Sequence, residues 1–226
     1  LGIGFDQLVI ISHSMMKDVY AHLSFWNSDG TSSETCGNAT RCVANILMSE
    51  LGQEKITVTT DYSKIDCLRI KNDLVSINMG HPQTDWKKIP LSKEADTLKL
   101  PIKGNPIATN IGNPHCTFFI DDFNNYDLSK LGPKIEKHNL FPMRTNVQLA
   151  KIIAKDKIQL KVWERGCGIT LASGSSACAA VVAGNRRGLI DKLVKVSLDG
   201  GEVEISCKND GVWLTGLTKY VFLNRI

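Results

Sequence analysis

The feature that most restricts how this chain can fold is an internal echo. Trp26 stands ten residues before Cys36, and Trp163 stands ten residues before Ser173. Each of these two positions is followed by a glycine and by a helical pattern, over Gly37–Leu51 and Gly174–Arg187. Three alternating runs that read as strands come next: Lys55–Thr59, Ile65–Ile70 and Leu74–Asn78 in one half, and Val194–Leu198, Glu202–Cys207 and Val212–Thr215 in the other. The first set closes at Gly80, 44 residues after Cys36, and the second at Gly216, 43 residues after Ser173. Asn72-Asp73 and Asn209-Asp210-Gly211 occupy the matching hairpin turns. Spacings that agree on both sides of both helices predict two copies of one strand-rich α/β unit. Cys36 in the first copy then corresponds to Ser173 in the second.

Further strands are expected over Asp6–Ile11, Tyr20–Trp26, Cys116–Ile120, Gln148–Ile153 and Lys157–Trp163, with a third helix around Leu128–His138. In the first repeated helix Ala39, Cys42, Val43, Ile46 and Leu47 fall on one stripe, and Gly52 can end it. In the second, Ala177, Cys178, Val181 and Val182 lead to Gly188. A chain of 226 residues can bury two small cores. The expected domains are 1–104 and 105–216, with residues 217–226 returning to the first.

Seven cysteines without a CxxC pair argue against a disulfide framework and against a zinc site, so no metal is expected and a reducing cytoplasm is the simplest setting. The net charge of +4 comes from scattered Lys and Arg, which excludes a basic block for nucleic acid or a membrane surface. No run of about 20 apolar residues could span a bilayer. No GxGxxG, GxxxxGK[ST] or HExxH motif calls for a cofactor or a metal.

The chemistry is suggested by what sits at the two helix starts. The first turn of a helix has amides without partners and a partial positive charge. A thiol placed there titrates below its usual value of about 8.5. Cys36 is thus placed where a thiolate can persist, and the Gly, Asn and Ser beside it let backbone donors approach a carboxylate. Inverting an α-carbon requires removing a proton from one face and returning one to the other. Two groups on opposite faces, one deprotonated and one protonated, do this as a coupled pair. Backbone donors aimed at the substrate carboxylate would stabilise the carbanion-like transition state.

Several motifs together resemble the diaminopimelate epimerase family. They are Asn27-Ser-Asp-Gly30, Cys36-Gly-Asn-Ala-Thr-Arg-Cys42, Gly112-Asn-Pro-His115, and Glu164-Arg-Gly-Cys-Gly168 through Ala172-Ser-Gly-Ser-Ser-Ala-Cys178, in that order, and Gly2-Ile-Gly-Phe-Asp-Gln7 is similar to a further motif. The resemblance implies an α/β (α+β) fold of two pseudo-symmetric domains, each a mixed sheet curled around a central helix, with the active site in the interdomain cleft. It implies a cytoplasmic bacterial isomerase that interconverts LL- and meso-2,6-diaminopimelate without cofactor or metal, in lysine and peptidoglycan precursor synthesis. Diaminopimelate is then the small-molecule partner, and a homodimer is left open. Cys36 looks like the first catalytic thiol, and His115 and Glu164 look like groups that support catalysis. Gln7, Asn27, Asn113, Asn146, Glu164 and Arg165 match substrate-binding positions. Gly37-Asn38 and Gly174-Ser175 look like clamps on the reacting carboxylate.

Two departures qualify the resemblance. The family has an opening strand and a Gly-Asn-Asp-Phe-like motif, and about 40 residues are expected to be absent ahead of Leu1. The family also has Cys where this chain has Ser173. A hydroxyl is a far weaker acid than a thiol and a poor proton relay, so an engineered or natural replacement there is expected to impair epimerisation severely. Cys167 and Cys178 are out of register to replace it. The competing expectations are a one-base relative such as a hydroxyproline dehydratase, another racemase of this fold, and a ligand-binding remnant without chemistry.

Overall fold

The computed structural model describes residues 4–5, 7–28, 30–33 and 36–223. Motif residues Gly2, Ile3, Asp6 and Asp29 lie outside the described residues. The chain contains β1 (Gln7–Ser12), β2 (Ala21–Asn27), β3 (Ser32–Ser33), α1 (Gly37–Leu51), β4 (Lys55–Thr59), β5 (Lys64–Lys71), β6 (Leu74–Asn78), β7 (Ile107–Asn110), β8 (Pro114–Ile120), α2 (Leu128–Glu136), β9 (Asn146–Ala154), β10 (Lys157–Glu164), β11 (Gly168–Thr170), α3 (Gly174–Arg186), β12 (Leu193–Leu198), β13 (Gly201–Lys208) and β14 (Gly211–Leu217). Each strand expected from alternation is present within two residues of its expected ends. Three short ones, β3, β7 and β11, were not expected, because two to four residues are too few to show a period. No helix among the described residues is long and apolar enough to cross a membrane.

Two compact units emerge, Leu1–Asn78 with Thr215–Ile226, and Met79–Leu214. The second begins ahead of the 104/105 boundary expected from the sequence. Ile89, Leu91 and Leu100 are buried with Ala108, Cys116, Phe118 and Leu149, so this segment belongs to the second core.

In the first unit the strand order is β1-β2-β4-β5-β6, with β3 beside β2. The β2–β4 pair is parallel and its neighbours are antiparallel. Helix α1 packs on β4, β5 and β6. Its buried face is Thr40, Arg41, Val43, Ala44 and Met48, while Cys42 and Ile46 are exposed. The expected stripe is therefore rotated. The cause is Arg41, whose guanidinium turns back on its own helix to Gly37 O and Asn38 Oδ1 and lies where Gly216 leaves room for it. Gly52, with φ 63°, ends α1 by donating to Met48 O and Ser49 O, as its sequence position suggested.

In the second unit the order is β14-β13-β12-β10-β9-β8-β7, with β11 beside β10. The β8–β9 and β10–β12 pairs are parallel. Helix α3 touches β13 near one end of this order and β7, β8 and β9 at the other, so the sheet curls around it. Every residue from Ser176 to Gly184 is buried, which replaces the expected stripe by burial all round. Small side chains allow this: a Cβ on Gly184 would come within 2.7 Å of Ile190 Cδ1. Helix α2 packs on β9, β10 and β11. Its Gly132 lies so close under the Trp163 ring that a Cβ there would overlap it.

Candidate active site

The first helix start is built by Cys36, the N-cap of α1, with an extended backbone at φ −137° and ψ 97°. Its Sγ accepts the Ala39 amide at 3.4 Å, and its carbonyl accepts the amide and hydroxyl of Thr40. Among the described residues the amides of Gly37 and Asn38 meet no hydrogen-bond acceptor, and they are the donors placed to meet a carboxylate. The Asn38 side-chain oxygen accepts from Arg41 Nη2 at 3.0 Å.

Nearby in this unit, the β1–β2 register pairs Gln7 with Asn27. Gln7 Nε2 donates to Asn27 Oδ1 at 3.2 Å, and Asn27 Nδ2 donates to Thr31 Oγ1 at 3.0 Å. The Thr31 carbonyl accepts the Asn27 amide at 2.8 Å, closing the turn that carries Gly30. These two sequence-predicted positions are thus adjacent.

The second helix start has Ser173 as N-cap of α3, at φ −144° and ψ 116°. It is buried, and its hydroxyl makes no capping hydrogen bond. The Ala177 amide returns to the Ser173 carbonyl at 3.0 Å. Among the described residues the amides of Gly174, Ser175 and Ser176 meet no acceptor.

Beside this start, a buried polar group spans two parallel strands. Register places His115 opposite Asn146 and Thr117 opposite Gln148. His115 is fully buried, and both ring nitrogens are occupied: Nε2 lies 2.7 Å from Asn113 Oδ1, and Nδ1 lies 2.7 Å from Gln148 Nε2. Gln148 also donates to Ser176 Oγ at 3.0 Å and accepts from Thr117 Oγ1 at 3.1 Å. Burial, and secondarily the Arg165 charge, pushes the His115 pKa down to about 3, so the ring is neutral at physiological pH.

Asn146 is buried and joins two turns. Its Oδ1 accepts the Arg165 amide at 2.9 Å, and its Nδ2 donates to the Pro114 carbonyl at 3.0 Å. Arg165 also donates through Nη1 to Met143 O. Glu164 Oε1 accepts from Thr170 Oγ1 at 2.6 Å, across the β10–β11 pair. Glu136, on α2 and buried, holds this turn from below. Its Oε2 accepts the Trp163 indole at 2.7 Å, and its Oε1 accepts the Gly166 amide at 3.1 Å with Arg144 3.6 Å away.

Asn113, His115, Asn146, Glu164, Arg165 and the α3 start are thus linked within the second unit, while Cys36, Gly37, Asn38, Gln7 and Asn27 belong to the first. The sequence reading missed Thr117, Gln148, Ser176 and Glu136. A signal for two of them, Thr117 and Gln148, was present: polar residues two apart on neighbouring strands, His115 with Thr117 and Asn146 with Gln148, inside otherwise apolar runs. Glu136 carried none, since an acid near a helix end ordinarily reads as solvated.

Comparison with known proteins bears on the family. Residues 107–221 match the family model described as diaminopimelate epimerase. A diaminopimelate epimerase from Wolbachia sp. of Drosophila simulans is 44% identical over 94% of this chain and 82% of its own length. One from Methylocella silvestris is 40% identical over all of this chain and 82% of its own. Among solved structures, a predicted epimerase from Pseudomonas aeruginosa superposes with a TM-score of 0.65 at 13% identity, over 94% of this chain and 80% of that one. A hydroxyproline epimerase from Agrobacterium vitis does so with a TM-score of 0.65 at 10% identity, over 93% and 71%. The two structures share the fold; the identity and coverage of the relatives carry the assignment, and this chain belongs to the diaminopimelate epimerase family.

Proposed function

We propose that this chain performs the proton chemistry of a diaminopimelate epimerase with one competent base, Cys36, and a hydroxyl in place of the second. The observation that carries this reading is the position of Cys36 as an N-cap whose sulfur already accepts a backbone N–H. Such a donor and the helix-start charge favour the thiolate over the thiol. The Gly37 and Asn38 amides would bind the carboxylate of the reacting centre and stabilise charge as the α-proton leaves.

Ser173 takes the corresponding place on α3. Its hydroxyl remains protonated at neutral pH and could donate a proton only by becoming an alkoxide, which is unfavourable by many orders of magnitude. Abstraction by Cys36 followed by return from the same thiol is the economical path. The expected activity is exchange of the α-hydrogen with solvent in one stereoisomer, with little inversion. Asn113, Asn146, Glu164 and Arg165 would hold the non-reacting end of the substrate. The relatives at 40–44% identity favour this substrate over a hydroxyproline.

The test is incubation with LL- and meso-diaminopimelate in D2O, followed by chiral separation and mass analysis. Deuterium in one isomer without inversion supports the reading. Fast inversion would show that Ser173 is no obstacle, and no exchange into either isomer would overturn the assignment of Cys36 as a working base.

A further inference from the structure

The second unit contains a buried polar relay. Thr117, His115, Gln148 and Ser176 are each inaccessible to solvent, yet they form an unbroken polar chain that ends at the partly accessible Asn113. Burying four polar side chains is costly unless each is hydrogen-bonded, and here all four are, which fixes their mutual orientation.

The direction of the chain has a consequence at its open end. Gln148 turns Nε2 toward His115, so Nδ1 of the ring is the acceptor. The remaining proton of the neutral ring is then on Nε2, which donates to Asn113 Oδ1. With its oxygen turned inward, Asn113 presents its Nδ2 outward, and that nitrogen meets no acceptor among the described residues. Reversing any amide would reverse the ring tautomer and leave an oxygen facing out instead.

The surroundings match the observed direction. Asn146 lies beside Pro114, and its orientation is set by backbone: the Arg165 amide must meet Oδ1, and the Pro114 carbonyl must meet Nδ2. One N–H of that Nδ2 is left over. Arg165 adds a guanidinium whose charge reaches His115. Donors therefore accumulate at this end of β8 and β9, which is the chemistry of an anion site.

We propose that Thr117, Gln148 and His115 set the polarity of the Asn113 amide, so that this position accepts a carboxylate oxygen and rejects an ammonium. Gln148 is then a positioning residue that selects substrate charge through His115. The inference deepens the functional reading and rests on it only for the identity of the ligand.

Two measurements on the full chain test it. The first is 15N NMR of protein labelled at histidine. The His115 ring should show Nδ1 unprotonated and Nε2 protonated, unchanged between pH 8 and pH 5. In Gln148→Met the ring should move toward a mixture of tautomers. A ring protonated at Nδ1 in the unaltered protein would overturn the proposal.

The second is equilibrium binding of diaminopimelate and of lysine, which differs from it by one carboxylate. The unaltered chain should prefer diaminopimelate by more than tenfold. Asn113→Asp keeps an oxygen for His115 but turns a second oxygen outward. It should lose more than tenfold in diaminopimelate affinity while lysine binding stays within about threefold. An unchanged preference in Asn113→Asp would overturn the proposal. If the unaltered chain binds neither amino acid, the functional reading fails, and the histidine tautomer still decides the relay.

Discussion

The helix starts at Cys36 and Ser173 are equivalent by spacing, yet they are used in opposite ways. Serine is normally among the better N-caps and cysteine is not. Here the cysteine caps, with its sulfur on the Ala39 amide, and the serine does not. The setting differs too. Helix α1 is buried on one face only, whereas α3 is enclosed by its sheet on all sides and is anchored at its first turn through Ser176 and Gln148. A helix held by packing and by a buried network does not depend on its cap. Position 173 is therefore a place where a side chain should be exchangeable with little effect on folding.

That contrast can be broken or sharpened by experiment. The largest effect is expected from Ser173→Cys, which should raise epimerisation by ~10³-fold, the upper part of the range for a positioned acid–base group. Initial rates of LL-to-meso conversion would check it, and a rate already equal in the serine form would erase the functional difference between the two starts. Next, Cys36→Ser should lower α-hydrogen exchange by at least ~10²-fold. It should change stability by less than about 1 kcal/mol, because serine can keep the cap. Deuterium exchange and urea unfolding on the same sample separate the two effects.

A smaller effect concerns the turns that follow the two repeated tryptophans. The turn at Asn27 is tied by Thr31 near the surface, while the turn at Arg165 is tied to the buried Glu136. Glu136→Ala should cost about 2 kcal/mol by stranding the Trp163 and Gly166 donors. Urea midpoints would show it, and a neutral result would mean that the acid is not what holds the turn. A last prediction concerns pH dependence. His115 is kept neutral with its pKa at about 3, below the 6.5 of an ordinary imidazole. As pH falls through 6.5 the unfolded chain takes up a proton that the folded ring refuses. Stability from this group is complete above pH 6.5 and declines as pH falls toward 3. Unfolding curves at pH 7 and pH 5 should differ more for the unaltered chain than for His115→Asn; equal differences would refute the assignment.

Much of this organisation was legible beforehand, for definite reasons. Apolar alternation located the long strands, and Gly52 and Gly188 marked helix ends through the backbone they permit. The repeat in spacing aligned Cys36 with Ser173 before any contact was known. What stayed hidden was set by packing. The face of α1 was misjudged because Arg41 folds inward. The full burial of α3 depends on a sheet that curls, which no local pattern records. The roles of Gln148 and Glu136 rest on hydrogen-bond partners 27 to 33 residues away.

The course of β14 bears on how the protein is made. This strand begins in the second unit and ends in the first, so the first unit is discontinuous in sequence and the second is not. Pairing the two pieces of the first unit means closing a long loop in the unfolded chain, a penalty that grows with the logarithm of loop length. Once the second unit has folded, Met79 donates to Val212 O at 2.8 Å and Val212 donates to Gly80 O at 2.9 Å, so the loop is already shut. The stretch synthesised first should thus mature last, with amides of β8–β10 protected before those of β4–β6 in pulsed hydrogen exchange. Simultaneous protection would mean that the two units assemble as one.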